Sequence, residues 1–208
     1  MWELIIFDLD GTLLNTSEGI YNSVRYTEKE LNLRPIGNSE LSKFVGPPPK
    51  EMYKKMYGLS EKQSQDAVKK HRKYGITRAL YEASIYDGVE ETLKYIKNKQ
   101  KKLAVATLKS QIIAEKILAI NKLEKYFDII IGMDLDETYT KSQIIKLAMT
   151  KTNCKTSIMI GDSMFDQIGA AEAGVDFIGA TYGFGLNMQN QYPFKTIAHI
   201  TELKSIIM

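Results

Sequence analysis

Asp8 and Asp10 stand one residue apart at the end of the apolar run Trp2 to Phe7 and immediately before Gly11-Thr12. In extended chain, side chains two apart point the same way, so both carboxylates face one site. A close pair of like charges is unfavourable unless a cation or a proton intervenes. A lone Asp-x-Asp-Gly-Thr is also what an ordinary solvated turn looks like, so its meaning depends on what else the fold brings to it. Three later segments qualify. Val105-Ala106-Thr107 offers a hydroxyl followed by what reads as the amides of a helix start, a receptor for phosphate oxygens. Lys141, at the start of a helical pattern, supplies a counter-charge. Gly161-Asp162-Ser163-Met164-Phe165-Asp166 carries two carboxylates four residues apart, which one helical turn brings to one face. An oxygen-only cluster of Asp8, Asp10, Asp162 and Asp166 selects a hard divalent cation, Mg²⁺ before others.

These residues need a scaffold that ends several strands at one edge. The run Trp2 to Phe7 reads as a strand buried on both faces, and Leu103 to Ala106, Ile129 to Gly132, Ser157 to Gly161 and Phe177 to Gly179 are four further apolar segments ending in small or polar residues. Helical patterns separate them: Ile113, Ile117 and Ile120 behind a capping Ser110, Lys141 to Met149, and Asp166 to Ala173 stopped by Gly174. Strand-helix alternation indicates a parallel sheet with covering helices, whose ligand sites lie at the carboxyl edge. The fold class is therefore α/β, with a Rossmann-like parallel core.

The stretch from Asn15 to Tyr86 is too long for a crossover and shows helical patterns only. Ile20, Val24 and Leu31 repeat near helical period, Ser39 is placed to cap a short helix ending at Gly46-Pro47-Pro48-Pro49, and Ser60 with Gln63 has the form of a capping box. Residues 15–86 are expected to form a helical cap on a core made of 1–14 and 87–208, with hinges near Asn15 and Asp87-Gly88. The cap would lie over the edge where Asp8 sits.

Composition narrows the function classes. The 208 residues are 44% hydrophobic and 25% charged, with a net charge of +3, as in globular proteins. Positive charge is scattered, which argues against a nucleic-acid polymer as partner; its densest run, Lys69 to Lys73, reads as a solvated helix face. No apolar run reaches membrane-spanning length and no leader precedes the first strand, so the expected setting is the cytoplasm and the expected partner a small molecule. One cysteine, Cys154, allows no internal disulfide.

Asp8-x-Asp10-Gly11-Thr12, then Thr107, then Lys141, then Gly161-Asp162-x-x-x-Asp166 fall in the four motif positions of the haloacid dehalogenase superfamily, and in that order. The chain resembles the superfamily's phosphatases with a helical cap after the first strand. Glu18-Gly19-Ile20, Ser23-Val24-Arg25-Tyr26, Phe44-Val45-Gly46-Pro47-Pro48 and Thr181-Tyr182-Gly183-Phe184-Gly185 are similar to its phosphoglycolate phosphatase-like and bacterial 5'-nucleotidase-like branch. The resemblance implies a phosphomonoester hydrolase acting on small phosphorylated metabolites, as monomer or dimer. Asp8 would be the nucleophile, forming an aspartyl-phosphate, and Asp10 the general acid and then base. Mg²⁺ would be held by Asp8, the Asp10 backbone carbonyl and Asp162, with Asp166 on the metal or ordering its shell. Thr107 and Lys141 would meet the phosphoryl group, joined at the substrate by Gly11, Thr12 and Leu108. Leu108 stands where relatives usually carry Asn or Ser, leaving its backbone amide as the contact, and Asn15 stands where Asp is frequent. Arg25 and Lys50 are the cap candidates for reading the substrate. A phosphomutase-type phosphotransferase uses the same core, and a non-catalytic phosphoester-binding member is the other alternative.

Overall fold

The structure is a computed structural model, and it describes residues 1–134 and 138–207. A parallel sheet carries the chain in the order β5 (Ile129–Met133), β4 (Lys102–Ser110), β1 (Leu4–Phe7), β6 (Ser157–Gly161), β7 (Asp176–Ala180) and β8 (Lys195–Ile197). β1 reads as an uninterrupted apolar run because both its faces are covered. Ile5 and Phe7 belong to one apolar cluster, with helices α5 (Val89–Asn98) and α6 (Gln111–Ile120). Leu4 and Ile6 belong to the other, with α7 (Lys141–Thr152) and α8 (Met164–Ala173).

Register then sets the site. Phe7 lies beside Val105 on one side and Ile160 on the other, so Asp8 comes level with Ala106 and Gly161, one residue before Thr107 and Asp162. The chain fills the β4 and β5 side first and returns to the other side of β1 for β6. The order reverses at β1, where doubly wound sheets open a crevice.

Between β2 (Leu14–Asn15) and β3 (Ser84–Ile85) lie α1 (Ser17–Glu30), α2 (Asn38–Leu41), α3 (Pro49–Tyr57) and α4 (Glu61–Thr77). They enclose an apolar cluster of their own, including Ile20, Val24, Phe44, Tyr53 and Val68. Here the sequence reading needs correction. The root of this segment is an antiparallel ribbon, Leu14 opposite Ile85 and Asn15 opposite Ser84, too short to leave a periodic pattern. The short helix starts at Asn38 behind Gly37, so Ser39 lies inside it. Ser60 and Gln63 do form a capping box. β8 is a further strand that the sequence pattern did not single out. β4 continues to Ser110 with a register shift after Ala106, and Ser110 makes no side-chain cap, so α6 begins four residues beyond Thr107. Among the described residues no helix is long and apolar enough to cross a membrane.

Candidate active site

Four aspartates converge on the carboxyl edge of the sheet, each buried and each placed by a different local device. Asp8 follows β1, with its amide donating to the Ile160 carbonyl at 2.8 Å. Asp10 is followed by Gly11 in left-handed conformation (φ 78°). A Cβ there would lie 2.2 Å from Asp162 Oδ2, so glycine is required twice over. Asp162 follows β6, and its Oδ2 accepts from the amides of Phe184 (2.6 Å) and Gly185 (3.2 Å). Asp166 sits in the first turn of α8, where its Oδ2 accepts from the Ser163 amide (3.0 Å) and hydroxyl (2.6 Å) in a capping box.

Two lysines divide these carboxylates. Lys141, the first residue of α7, places Nζ 2.5 Å from Asp8 Oδ1 and 2.6 Å from Asp166 Oδ1. Its stem lies against α8 at Gly169, where a Cβ would come within 2.6 Å of Lys141 Cγ. Lys109 places Nζ 2.9 Å from both carboxylate oxygens of Asp10. Thr16, at the N-terminus of α1, donates to Asp10 Oδ1 at 2.5 Å. Burial raises the Asp8 carboxyl well above the ordinary range; Lys141 opposes the rise, and Asp166, Asp162 and Asp10 add to it. Burial and the neighbouring Asp166 push Asp162 up to about 7, against the two amides that favour its charge. For Lys141, burial works against the charge but Asp166 and Asp8 outweigh it and raise the ammonium.

One carboxylate oxygen from each of Asp8, Asp162 and Asp166 lies within 4.8 Å of the others. Three hard oxygen donors, crowded and buried, fit a divalent cation that would relieve their repulsion. Charge counting agrees: Asp8, Asp10, Asp162 and Asp166 against Lys109 and Lys141 leave two negative charges when all are ionised. The Asp10 carboxylate lies outside this cluster, turned to Lys109 and Thr16, which leaves its backbone carbonyl as the contribution the sequence reading assigned to it.

Two adjoining spaces meet at Asp10. A tight cleft is lined by Asp8, Asp10, Gly46, Thr107, Leu108, Lys141 and Asp166. A cavity of about 70 Å³ runs from it between the inserted helices and α6, walled mainly by Ile20, Phe44, Pro47, Leu80, Ile113 and Ile117. Asp10, Gly46 and Leu108 line both.

The other expected site residues are placed as follows. Thr107 is buried at the cleft, and its Oγ1 accepts from the Lys109 amide at 3.1 Å; because β4 continues past it, the amides beyond Thr107 are not those of a helix start. Leu108 lines the cleft. Thr12 is fully buried and its carbonyl accepts from the Tyr182 hydroxyl at 2.9 Å, so it braces the motif from behind. Arg25 and Lys50 line neither space, and each is paired with a carboxylate of the inserted helices. Arg25 donates to the buried Glu28 at 2.8 Å, and Lys50 faces Glu61 at 3.4 Å. The basic run of α4 also needs correction: His71 is buried on Tyr53, whose hydroxyl is 3.1 Å from Nδ1, and both His71 and Arg72 line the cavity.

Sequence reasoning missed Lys109 and the Asp162 bracket. Lys109 stands two residues after Thr107, the spacing that puts both on one side of an extended strand, a signal hidden by expecting the strand to end at Ala106. Phe184 and Gly185 lie in a segment noted only for its similarity, and nothing local announces that their amides serve an aspartate.

A doubly wound parallel α/β sheet thus carries a cluster of buried carboxylates at its carboxyl edge. A family model described as haloacid dehalogenase-like hydrolase matches residues 5–180, and the chain belongs to that family. It is 32% identical over 208 residues to a 5'-nucleotidase from Pseudomonas aeruginosa, a match covering 98% of this chain and 94% of that one. A phosphoglycolate phosphatase from Aquifex aeolicus is 27% identical, covering 98% and 96%. The crystal structure of a predicted phosphatase from Clostridium acetobutylicum superposes with a TM-score of 0.92 at 36% identity, over 100% of this chain and 98% of that one. The protein is accordingly a phosphatase of the haloacid dehalogenase type.

Proposed function

We propose that the protein hydrolyses small phosphomonoesters with Mg²⁺ as cofactor through an aspartyl-phosphate on Asp8. The observation that supports this best is the position of Asp10. It lies between a cleft lined by Asp8, Lys141 and Asp166 and a mainly apolar cavity under the inserted helices.

Asp8 attacks phosphorus in line, forming the new O–P bond as the bond to the ester oxygen breaks. Asp10 gives its proton to the departing alkoxide, releasing the alcohol into the cavity. A water then attacks the phosphoryl group, Asp10 takes a proton from it, and Asp8 is released with inorganic phosphate. Lys141 holds Asp8 in place and offers positive charge to the phosphoryl oxygens, with Thr107 and the Leu108 amide beside it. Asp8, Asp162, Asp166 and the Asp10 carbonyl would hold Mg²⁺, which when bound offsets the negative charge brought together at the site. The helices of the 15–86 segment act as the cap, and their side of the cavity selects the leaving group.

The names of the relatives make nucleoside 5'-monophosphates and phosphoglycolate the first substrates to try. Phosphate release across a panel of phosphorylated metabolites with Mg²⁺, together with quenched-flow mass analysis of the peptide carrying Asp8, tests the reading. A phosphoryl group on Asp8 that forms and decays at the rate of turnover is the expected result. Isomerised sugar phosphate without free phosphate would point to a mutase, and tight binding without turnover to a binding protein.

A further inference from the structure

Lys109 has no part in the chemistry set out above, yet it is the most thoroughly engaged cation near Asp10. Its ammonium lies 2.9 Å from each carboxylate oxygen, and both side chains are largely buried, 14% and 9% exposed. It is tied at its other end as well, its amide donating to Thr107 Oγ1 at 3.1 Å. The register shift of β4 after Ala106 carries Thr107, Leu108 and Lys109 along the catalytic edge instead of into α6. Thr16 meets the same carboxylate from the inserted side at 2.5 Å.

We propose that Lys109 is the positioning residue of the acid/base group, holding the Asp10 carboxylate at the mouth of the leaving-group cavity. The inference rests on the assignment of acid/base chemistry to Asp10. An aspartate side chain has two free torsions, and a hydroxyl bond to one oxygen leaves its plane undefined. A cation shared by both oxygens and anchored on the phosphate side defines it. Charge balance for the metal-side carboxylates is already the work of Lys141, which contacts Asp8 and Asp166 and not Asp10. Lys109 also supplies the cation that faces Asp10 after its proton has gone to the departing alkoxide, and no other atom need change hands for that.

The test is leaving-group dependence. An alkyl phosphate needs its departing oxygen protonated, whereas p-nitrophenyl phosphate leaves readily without help. In Lys109→Met, kcat for an alkyl phosphate should fall by roughly 30-fold, kcat for p-nitrophenyl phosphate by no more than about 3-fold, and KM for both should stay within about 2-fold, set against the ~10²–10⁴-fold range of general acid catalysis. Lys109→Arg should restore part of the alkyl activity. Adding Lys109→Met to Asp10→Asn should cost the alkyl substrate nothing further, because the two side chains act as one unit. Retained aryl activity and an unchanged melting profile certify folding, with Lys109→Gln as the second variant. Equal loss on both esters, a change confined to KM, or a multiplicative loss in the double variant would overturn the proposal. If Asp10→Asn itself fails to discriminate between the esters, the acid/base assignment falls and this inference with it; a selective Asp10→Asn beside an unselective Lys109→Met overturns the inference alone.

Discussion

The sheet edge and the inserted helices treat buried charge in opposite ways. At the sheet edge, Asp8, Asp162 and Asp166 are crowded within 4.8 Å, with Lys141 serving two of them, an arrangement unfavourable to leave without a bound partner. In the helices, the buried Glu28 is fully served within the protein. Its Oε1 accepts from the Ile36 amide at 2.8 Å and the Tyr57 hydroxyl at 2.7 Å, and its Oε2 from Arg25 at 2.8 Å. His71, next to the cavity, is kept neutral by burial, which drives its pKa to about 3. A satisfied network stabilises; an unsatisfied one recruits. The difference teaches that carboxylates alone do not mark a reactive site, whereas carboxylates left in mutual repulsion do.

The comparison breaks first at Asp8. Asp8→Asn should lower turnover of every substrate by at least about 10³-fold, since an amide is a poor nucleophile; phosphate release at more than a trace by the pure variant would remove the covalent mechanism. Metal removal comes next. Exhaustive chelation should abolish activity and Mg²⁺ restore it, with Ca²⁺ a poor replacement because it prefers more ligands at longer distance. Activity surviving chelation would show that Lys109 and Lys141 suffice.

On the helical side the effects should be selective and smaller. Ser23 lines the cavity and its hydroxyl bonds only within its own helix, to the Gly19 carbonyl, so Ser23→Leu fills space without leaving a partner stranded elsewhere. The ratio of kcat/KM for a nucleoside 5'-monophosphate to that for phosphoglycolate should drop roughly ten-fold, about 1.4 kcal/mol of lost fit. An unchanged ratio would mean that leaving groups go elsewhere. Arg25→Ala should leave that ratio as it is while costing about 1–3 kcal/mol in urea unfolding, because Glu28 loses a donor in a buried setting. A reordered substrate profile would put Arg25 back at the substrate.

A last effect, on stability and not on turnover, is acid sensitivity. An unfolded His71 takes up a proton near its ordinary value of 6.5, whereas the folded one resists until about 3. The folded state therefore binds fewer protons across that interval, and stability falls as pH drops through it. Between neutral pH and about pH 5 this group should remove about 1–2 kcal/mol. His71→Gln should show that much less loss than the wild type in denaturant titrations at the two values; equal losses would mean that His71 titrates normally.

The sequence by itself determined whatever is local. Apolar runs bounded by Gly, Thr and Asp give buried strands, alanine- and isoleucine-rich periods give covering helices, and Asp8, Asp10, Thr107, Lys141, Asp162 and Asp166 occur in a fixed order after them, so the fold and the roster of chemical groups were legible together. What depends on two distant segments meeting was not. That Lys109 reaches Asp10, 99 positions away, follows from a register shift in β4. That Phe184 and Gly185 hold Asp162 follows from a loop folding back over the edge. That His71 and Arg72 face the cavity follows from how the helices pack against one another. Periodicity specifies which face of a helix is buried on average, but only packing decides against what, because contact energies between distant residues are set by geometry that no local spacing encodes.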